Sequence, residues 1–274
     1  MKAKQVVVSG GFDDIRSHHI RFLEEASRLG ELTVLLWADD IVKQRQGRPP
    51  QFTQAERMYF LQAVRFVRRV QLITNPFDDD ALPGGIDFKP DVWAMHELEG
   101  SAAQKAFCQA QGLQCHLAGN EVLRGFPLTP INASVVSGRE KIVVTGSFDW
   151  LHSGHVRFFE EVSAYGDLYV IVGHDANIRL LKGEGHPLLP EAERRYVVGS
   201  IKYVKQALIS SGGGWLDADP EIRRLKPDIY AVNEDGDKGG KREYCTELGI
   251  EYLVLKRTPA PGLPERTSTR LRGF

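Results

Sequence analysis

The chain contains itself twice. Residues 6–30 read VVVSGGFDDIRSHHIRFLEEASRLG, and residues 142–166 read IVVTGSFDWLHSGHVRFFEEVSAYG. Phe12 matches Phe148, Asp13 matches Asp149 and His19 matches His155, at an offset of 136 residues (148 − 12). The match continues: LTVLLWADD (32–40) against LYVIVGHDA (168–176), QAERMYFLQAVRFV (54–67) against EAERRYVVGSIKYV (191–204), and KPDVWAMHE (89–97) against KPDIYAVNE (226–234). By the last pair the offset is 137 (227 − 90), so the second copy holds one extra residue between Lys182 and Pro187. A repeat of this length means that one copy's architecture is also the other's. Each copy alternates strand-length apolar runs with helical stretches, the pattern of a parallel sheet covered on both faces. The expectation is an α/β chain with domains at 1–124 and 140–274, joined by a stretch at 125–139 that contains Gly125, Pro127, Pro130 and Gly138.

Chemistry concentrates at Val143 to Arg157, VVTGSFDWLHSGHVR. An apolar strand ends in the small-residue turn Thr145-Gly146-Ser147, and a helix opens at His152-Ser153-Gly154-His155. Histidines three apart in a first helical turn share a face. Free N–H groups and the positive dipole end lie at the same place, so the stretch reads as a phosphate site holding two imidazoles.

Bulk properties narrow the function. With 35 Lys+Arg against 36 Asp+Glu the net charge is −1, which removes the electrostatic case for binding nucleic acid. Cys108, Cys115 and Cys245 are odd in number and lack metal-ligand spacing, so reduced structural cysteines are expected. The start, MKAKQVVVSGGFDD, is neither a signal peptide nor a membrane span, and a cytoplasmic protein is the expectation.

GSFDWLHSGH resembles the HxGH signature of the nucleotidylyltransferase superfamily, particularly its cytidylyltransferases. The resemblance implies two tandem Rossmann-like nucleotidylyltransferase domains with parallel sheets. Because related single-domain enzymes work as dimers, it also implies packing as an internal pseudo-dimer, in a monomer or a homodimer. The implied reaction is attack by a phosphate or phosphonate oxygen of a small acceptor on the α-phosphorus of CTP, releasing pyrophosphate, with Mg²⁺ on the phosphates and Asp149 positioning it or its waters. By the same resemblance, His152 and His155 donate to α/β-phosphate oxygens, while Lys182, Arg194 and Arg257 neutralise the triphosphate and the attacking group, Lys182 also touching the acceptor. Gly146, Ser147, Phe148, Asp149, Gly154 and Asp175 belong to the nucleotide site, Gly154 letting the nucleotide approach the backbone. Asn233 and Asp235 fall near the family's base-binding region, and Trp215, after a glycine run, at its acceptor site. The tail LKRTPAPGLPERTSTRLRG (255–273) resembles the Lys-Arg-Thr and Ser-Thr-Thr elements of ethanolamine-phosphate cytidylyltransferases, which brings in Thr267, Ser268 and Thr269. Arg257 and Arg266 compete for the family's arginine, with Arg257 preferred.

The copies differ where chemistry matters. Arg16 stands for His152, His18 for Gly154 and Gln46 for Lys182. The first copy therefore reads as degenerate, serving structure or holding a ligand without turning it over. An adenylyltransferase acting on a sugar phosphate is the alternative enzyme, and a nucleotide sensor without turnover the alternative of another class. Phosphoethanolamine, glycerol phosphate and phosphonates are the acceptors expected under the CTP reading.

Overall fold

The computed structural model describes residues 3–128 and 138–271, and only the backbone of residues 269 and 270. Most of the expected connection at 125–139 thus lies outside the described residues. Two compact units emerge, Met1–Gly125 and Phe126–Phe274.

In the first unit, β1 (Gln5–Gly10), α1 (Ser17–Ser27), β2 (Glu31–Trp37), α2 (Asp39–Gln46), α3 (Gln54–Ala63), β3 (Arg69–Ile73), β4 (Val92–His96), α4 (Ala102–Gln111) and β5 (Gln114–Ala118) follow in order. Their sheet runs β3-β2-β1-β4-β5, all parallel. The second unit comprises β6 (Lys141–Gly146), α5 (Ser153–Ser163), β7 (Asp167–Val172), α6 (Asp175–Lys182), α7 (Glu191–Gly199), β8 (Val204–Ile209), α8 (Asp219–Leu225), β9 (Ile229–Asn233), α9 (Lys241–Leu248), β10 (Glu251–Leu255) and a final turn α10 (Ser268–Leu271). Its parallel sheet, β10-β9-β6-β7-β8, has the same order read from the other edge.

The repeat extends to register and backbone. Gly10 pairs with Leu36 as Gly146 pairs with Val172. Phe12 and Phe148 share a left-handed φ of 47°. Gly30 and Gly166 close the turn before the second strand of each unit. A Cβ there would sit 2.2 Å from the carbonyl oxygen of Lys4, or 2.3 Å from that of Glu140, so only glycine fits.

Val6, Val7 and Val8, like Ile142 and Val143, are fully buried because a central parallel strand has helices on both faces. The α1 residues Ile20, Leu23 and Ala26, and the α5 residues Val156, Phe159 and Val162, recur at helical spacing and face the sheet. The strand order reverses direction at β6, whose neighbours β7 and β9 carry the chain away to opposite sides. Ligands of such sheets bind outside the carboxyl end of the strand at that switch point, and β6 leads there into the histidine stretch. No helix of the described residues is long and apolar enough to cross a membrane.

Candidate active site

The loop after β6 is shaped by Phe148. Its ring lies over Gly146, where an added Cβ would come within 2.9 Å of it. It also packs edge-on against the His155 ring at 5.5 Å and against Phe159 at 5.3 Å. Gly146 and Phe148 thus position the helix start from beneath, and Phe148 is itself buried.

His152 is the N-cap of α5. Its Nδ1 accepts the Gly154 N–H at 3.1 Å, and its own backbone N–H donates to Nδ1 of His155 at 3.4 Å. Both rings therefore accept on Nδ1, which puts the proton of each neutral imidazole on Nε2. The rings lie 4.0 Å apart at 38°. Burial, then His155, Arg257 and Arg266, holds the His152 pKa far below its ordinary value. Burial, then Arg257, brings His155 down to about 4, with Asp235 opposing and Lys182 adding to the fall. At neutral pH the pair is two uncharged N–H donors. The His152 Nε2 is buried and has no hydrogen-bond partner among the described residues. A buried donor left unpaired is costly, and an anionic oxygen would satisfy it.

Cations flank the pair. Lys182 ends α6, and its Nζ donates to the Ser147 hydroxyl at 2.8 Å. Arg257, just beyond β10, pairs with the Asp235 carboxylate and donates to the Arg266 carbonyl at 2.8 Å. Its backbone N–H donates to Glu234 at 3.2 Å, the neighbour of Asn233 and Asp235 in the sequence. Asn233 lies beside Gly154 and Arg257 in the same crevice. Arg257 and Arg266 are both brought to the site: both lower the His152 pKa, and Arg257 lowers that of His155 as well.

Several expected residues have other uses. Arg194 is only 1% exposed. It donates from Nε to the Leu189 carbonyl at 2.8 Å, to the Ser147 carbonyl at 2.6 Å and to Asp175 at 2.6 Å. Arg57 repeats this in the first unit, with the carbonyls of Phe52 and Gly11 and with Asp39. Both arginines brace the loop after the first strand of their unit. Arg194 is a support behind the histidine turn, rather than the triphosphate contact expected, and Asp175 is its counter-ion. Asp149 likewise accepts the N–H groups of Leu188 and Leu189 at 2.7 to 3.0 Å, as Asp13 accepts those of Gln51 and Phe52. Its carboxylate clamps backbone and does not stand ready for Mg²⁺. Among the described residues no group of three or more His, Cys, Asp or Glu could hold a metal ion. No step below depends on a metal held by the protein.

At Gly154 a Cβ would lie 3.0 Å from the His152 ring, so the missing side chain leaves room for that imidazole. Trp215 is 55% exposed on a short 3₁₀ turn. That loop is held from below by Asn177, which exchanges two bonds with Gly214 at 2.8 and 3.0 Å, and by His174, whose Nε2 meets the Gly212 carbonyl at 2.8 Å. From the sequence His174 stands at the C-terminal end of the β7 run, near the expected ligand site, and Asn177 carries no signal. Ser268 donates to the Trp150 carbonyl at 3.3 Å and begins α10 after Thr267, which fastens the tail to the histidine loop. The Thr269 side chain lies outside the described residues.

Residues 143–266 match the cytidylyltransferase-like family profile. An FAD synthase of Ferroglobus placidus is 38% identical over 120 residues, covering 43% of this chain and 75% of that protein. An FAD synthase of Methanocella paludicola is 34% identical over 135 residues, covering 48% of this chain and 93% of its own length. A bifunctional protein HldE of Geobacter metallireducens is 33% identical over 109 residues, 38% of this chain and 21% of that one. Two of the three are named for FAD, an adenine dinucleotide, and none for a cytidylyl product. This overturns the expectation of CMP transfer from CTP, which rested on the histidine stretch and on the tail. The physical reason lies in the tail's contacts: Arg257 and Ser268 sit beside the histidine turn, where phosphates rather than the base are expected, and phosphates are the same in every nucleotide.

Proposed function

The chain belongs to the cytidylyltransferase-like family of nucleotidyltransferases, and from that premise we propose that its second unit transfers AMP from ATP to a phosphomonoester. An acceptor phosphate oxygen attacks the α-phosphorus. The bond from that phosphorus to the bridging oxygen of the β-phosphate breaks, and pyrophosphate departs with the electron pair. The product is joined through a new P–O–P linkage. No covalent enzyme intermediate is required, and Cys245, the cysteine of this unit, is sealed in the core.

The observation that carries the reading is the stacked pair His152 and His155, neutral, with both Nε2–H groups left to donate. Aimed at phosphate oxygens, such donors stabilise the charge that builds up on the transferring group. Lys182 and Arg257 balance the charge of triphosphate and acceptor, which would otherwise repel each other. Mg²⁺ arriving on the ATP phosphates would add to that neutralisation. Asn233 and Asp235, at the end of β9, lie on the side where the base would rest. Ser147 holds Lys182 in place. Thr267 and Ser268 close the phosphate end, and Trp215 offers a ring for the acceptor to stack on.

The FAD synthases among the relatives make flavin mononucleotide the first acceptor to test, with sugar phosphates beside it. Pyrophosphate release is measured with ATP or CTP and each acceptor. ATP-dependent release with formation of the adenylylated product is expected. Release with CTP alone would overturn the reading, and ATP binding without release under any acceptor would restore the sensor.

A further inference from the structure

The first unit has lost one histidine of the pair and regained it from another position. His19 holds the place of His155, and its Nδ1 accepts the backbone N–H of Arg16 at 3.1 Å, repeating the bond between His152 and His155. Arg16 holds the place of His152 and turns its guanidinium to Asp14 at 2.7 Å. The missing ring comes from His18, at the position of Gly154. His18 and His19 lie 3.9 Å apart at 38°, against 4.0 Å and 38° in the second unit. Starting α1 requires one cap, not a second imidazole. Burial, then His18 and Arg16, lowers the His19 pKa to about 3, so this ring too is neutral and carries its proton on Nε2.

These rings line a cavity of about 1010 Å³ whose residues all belong to this unit, at the carboxyl ends of β1, β2 and β4. Its walls are aromatic: Trp37 and Trp93 stand where the second unit has Gly173 and Tyr230. The Arg45 guanidinium is held between the Trp37 and Phe77 rings, 4.3 and 4.4 Å from their centroids, which makes a flat, rigid edge. A volume of that size, lined by aromatic rings together with polar side chains, suits a small organic ligand.

Charge separates this site from the catalytic one. Gln46 replaces Lys182, and Asn120 replaces Arg257. The latter equivalence is visible in the bonds, since Asn120 N–H donates to Glu97 at 2.9 Å as Arg257 N–H donates to Glu234. Neutral amides stand at the places of those two cations, and the cavity's own arginines are engaged by carboxylates, Arg45 by Asp79 and Arg124 by Glu121, so an imidazole pair at a helix start suits a single phosphate here rather than a triphosphate. We propose that the first-unit cavity binds the monophosphate of an aromatic heterocycle, with the phosphate at His18 and His19 and the ring against Trp37 and Trp93, and does not transfer it.

The test is calorimetric titration of the full chain carrying His152→Asn and His155→Asn, with AMP, flavin mononucleotide and ribose 5-phosphate as probes. One AMP or flavin mononucleotide bound per chain is expected, at least tenfold tighter than ribose 5-phosphate. His19→Asn and Arg45→Met should each weaken it tenfold or more. Hydrogen exchange on the chain without these two substitutions should show ligand protection in residues 10–16, which decides the matter if either substitution lowers the melting temperature. No saturable binding by either nucleotide, equal binding of ribose 5-phosphate, indifference to both substitutions in folded protein, or no protection at 10–16 overturns the proposal. None of these readouts depends on adenylyl transfer, so this site and the proposed reaction fail separately.

Discussion

His155 accepts the backbone N–H of His152 on its Nδ1 at 3.4 Å, and that bond fixes which edge of the ring carries the proton. With Nδ1 of His152 bonded to Gly154 in turn, the helix start presents two Nε2–H donors without needing a charged histidine.

Asparagine at 152 keeps an N-cap acceptor but lacks the reach of Nε2. His152→Asn should leave the melting temperature close to that of the parent chain and reduce kcat by about 10²–10³. A fall in melting temperature without a fall in kcat would mean the ring serves the helix alone.

The same burial makes stability depend on acid. His155 titrates near 4 in the folded chain and near 6.5 when unfolded. Between those values the unfolded state binds more protons, so stability rises with pH. The contribution is complete above about pH 6.5 and is lost as pH falls toward 4, and His152, shifted further in the same direction, extends the loss below. Denaturant midpoints from pH 7.5 to 4 should decline, and His155→Asn should decline less steeply. Parallel curves would sink the assignment.

Lys182→Gln copies the residue at the equivalent place in the first unit, Gln46. The side chain is exposed and donates to the Ser147 hydroxyl. The folded state should hardly notice, while kcat/KM for the nucleotide should fall by about 10²-fold, the size of one lost charge-stabilising donor. Steady-state kinetics beside a thermal melt separates the two effects.

Arg194 should behave in the opposite way. Its guanidinium joins the Leu189 and Ser147 carbonyls and Asp175 inside the fold. Arg194→Ala strands a carboxylate and two carbonyls, and should cost about 3–5 kcal/mol of stability, as breaking a buried ion pair does. Arg57→Ala should cost a similar amount in the first unit, where it is bonded alike. Urea unfolding measures both; an Arg194 variant of parental stability with a raised KM would return this residue to the triphosphate.

Much of this was legible from residue order. The repeated strands β1, β2 and β4 were visible as apolar runs because a central parallel strand is buried on both faces and has no polar side. The edge strand β3 was not singled out, since its half-exposed residues, Arg69 to Ile73, carry no such run. The histidine turn was visible because its partners lie within three residues of one another. The base was not legible, because the histidine stretch and the tail residues that suggested CTP lie together at one helix start, where the expected contacts are to phosphates.

The sequence by itself determined that there are two units of one design and that the second carries the histidines and cations at one helix start, for both are matters of spacing along the chain. Tertiary structure alone decided what the shared polar residues do. Arg194 meets Ser147 from 47 positions away, and Asp149 meets Leu188 from 39, so neither could be told from a ligand contact until the loops were closed. It also decided that the first unit is not simply depleted. His18 occupies the position of a glycine, yet its ring completes the same stacked pair, because a side chain's place in space is set by backbone and rotamer together, and two different positions on one helical turn can deliver an imidazole to one point.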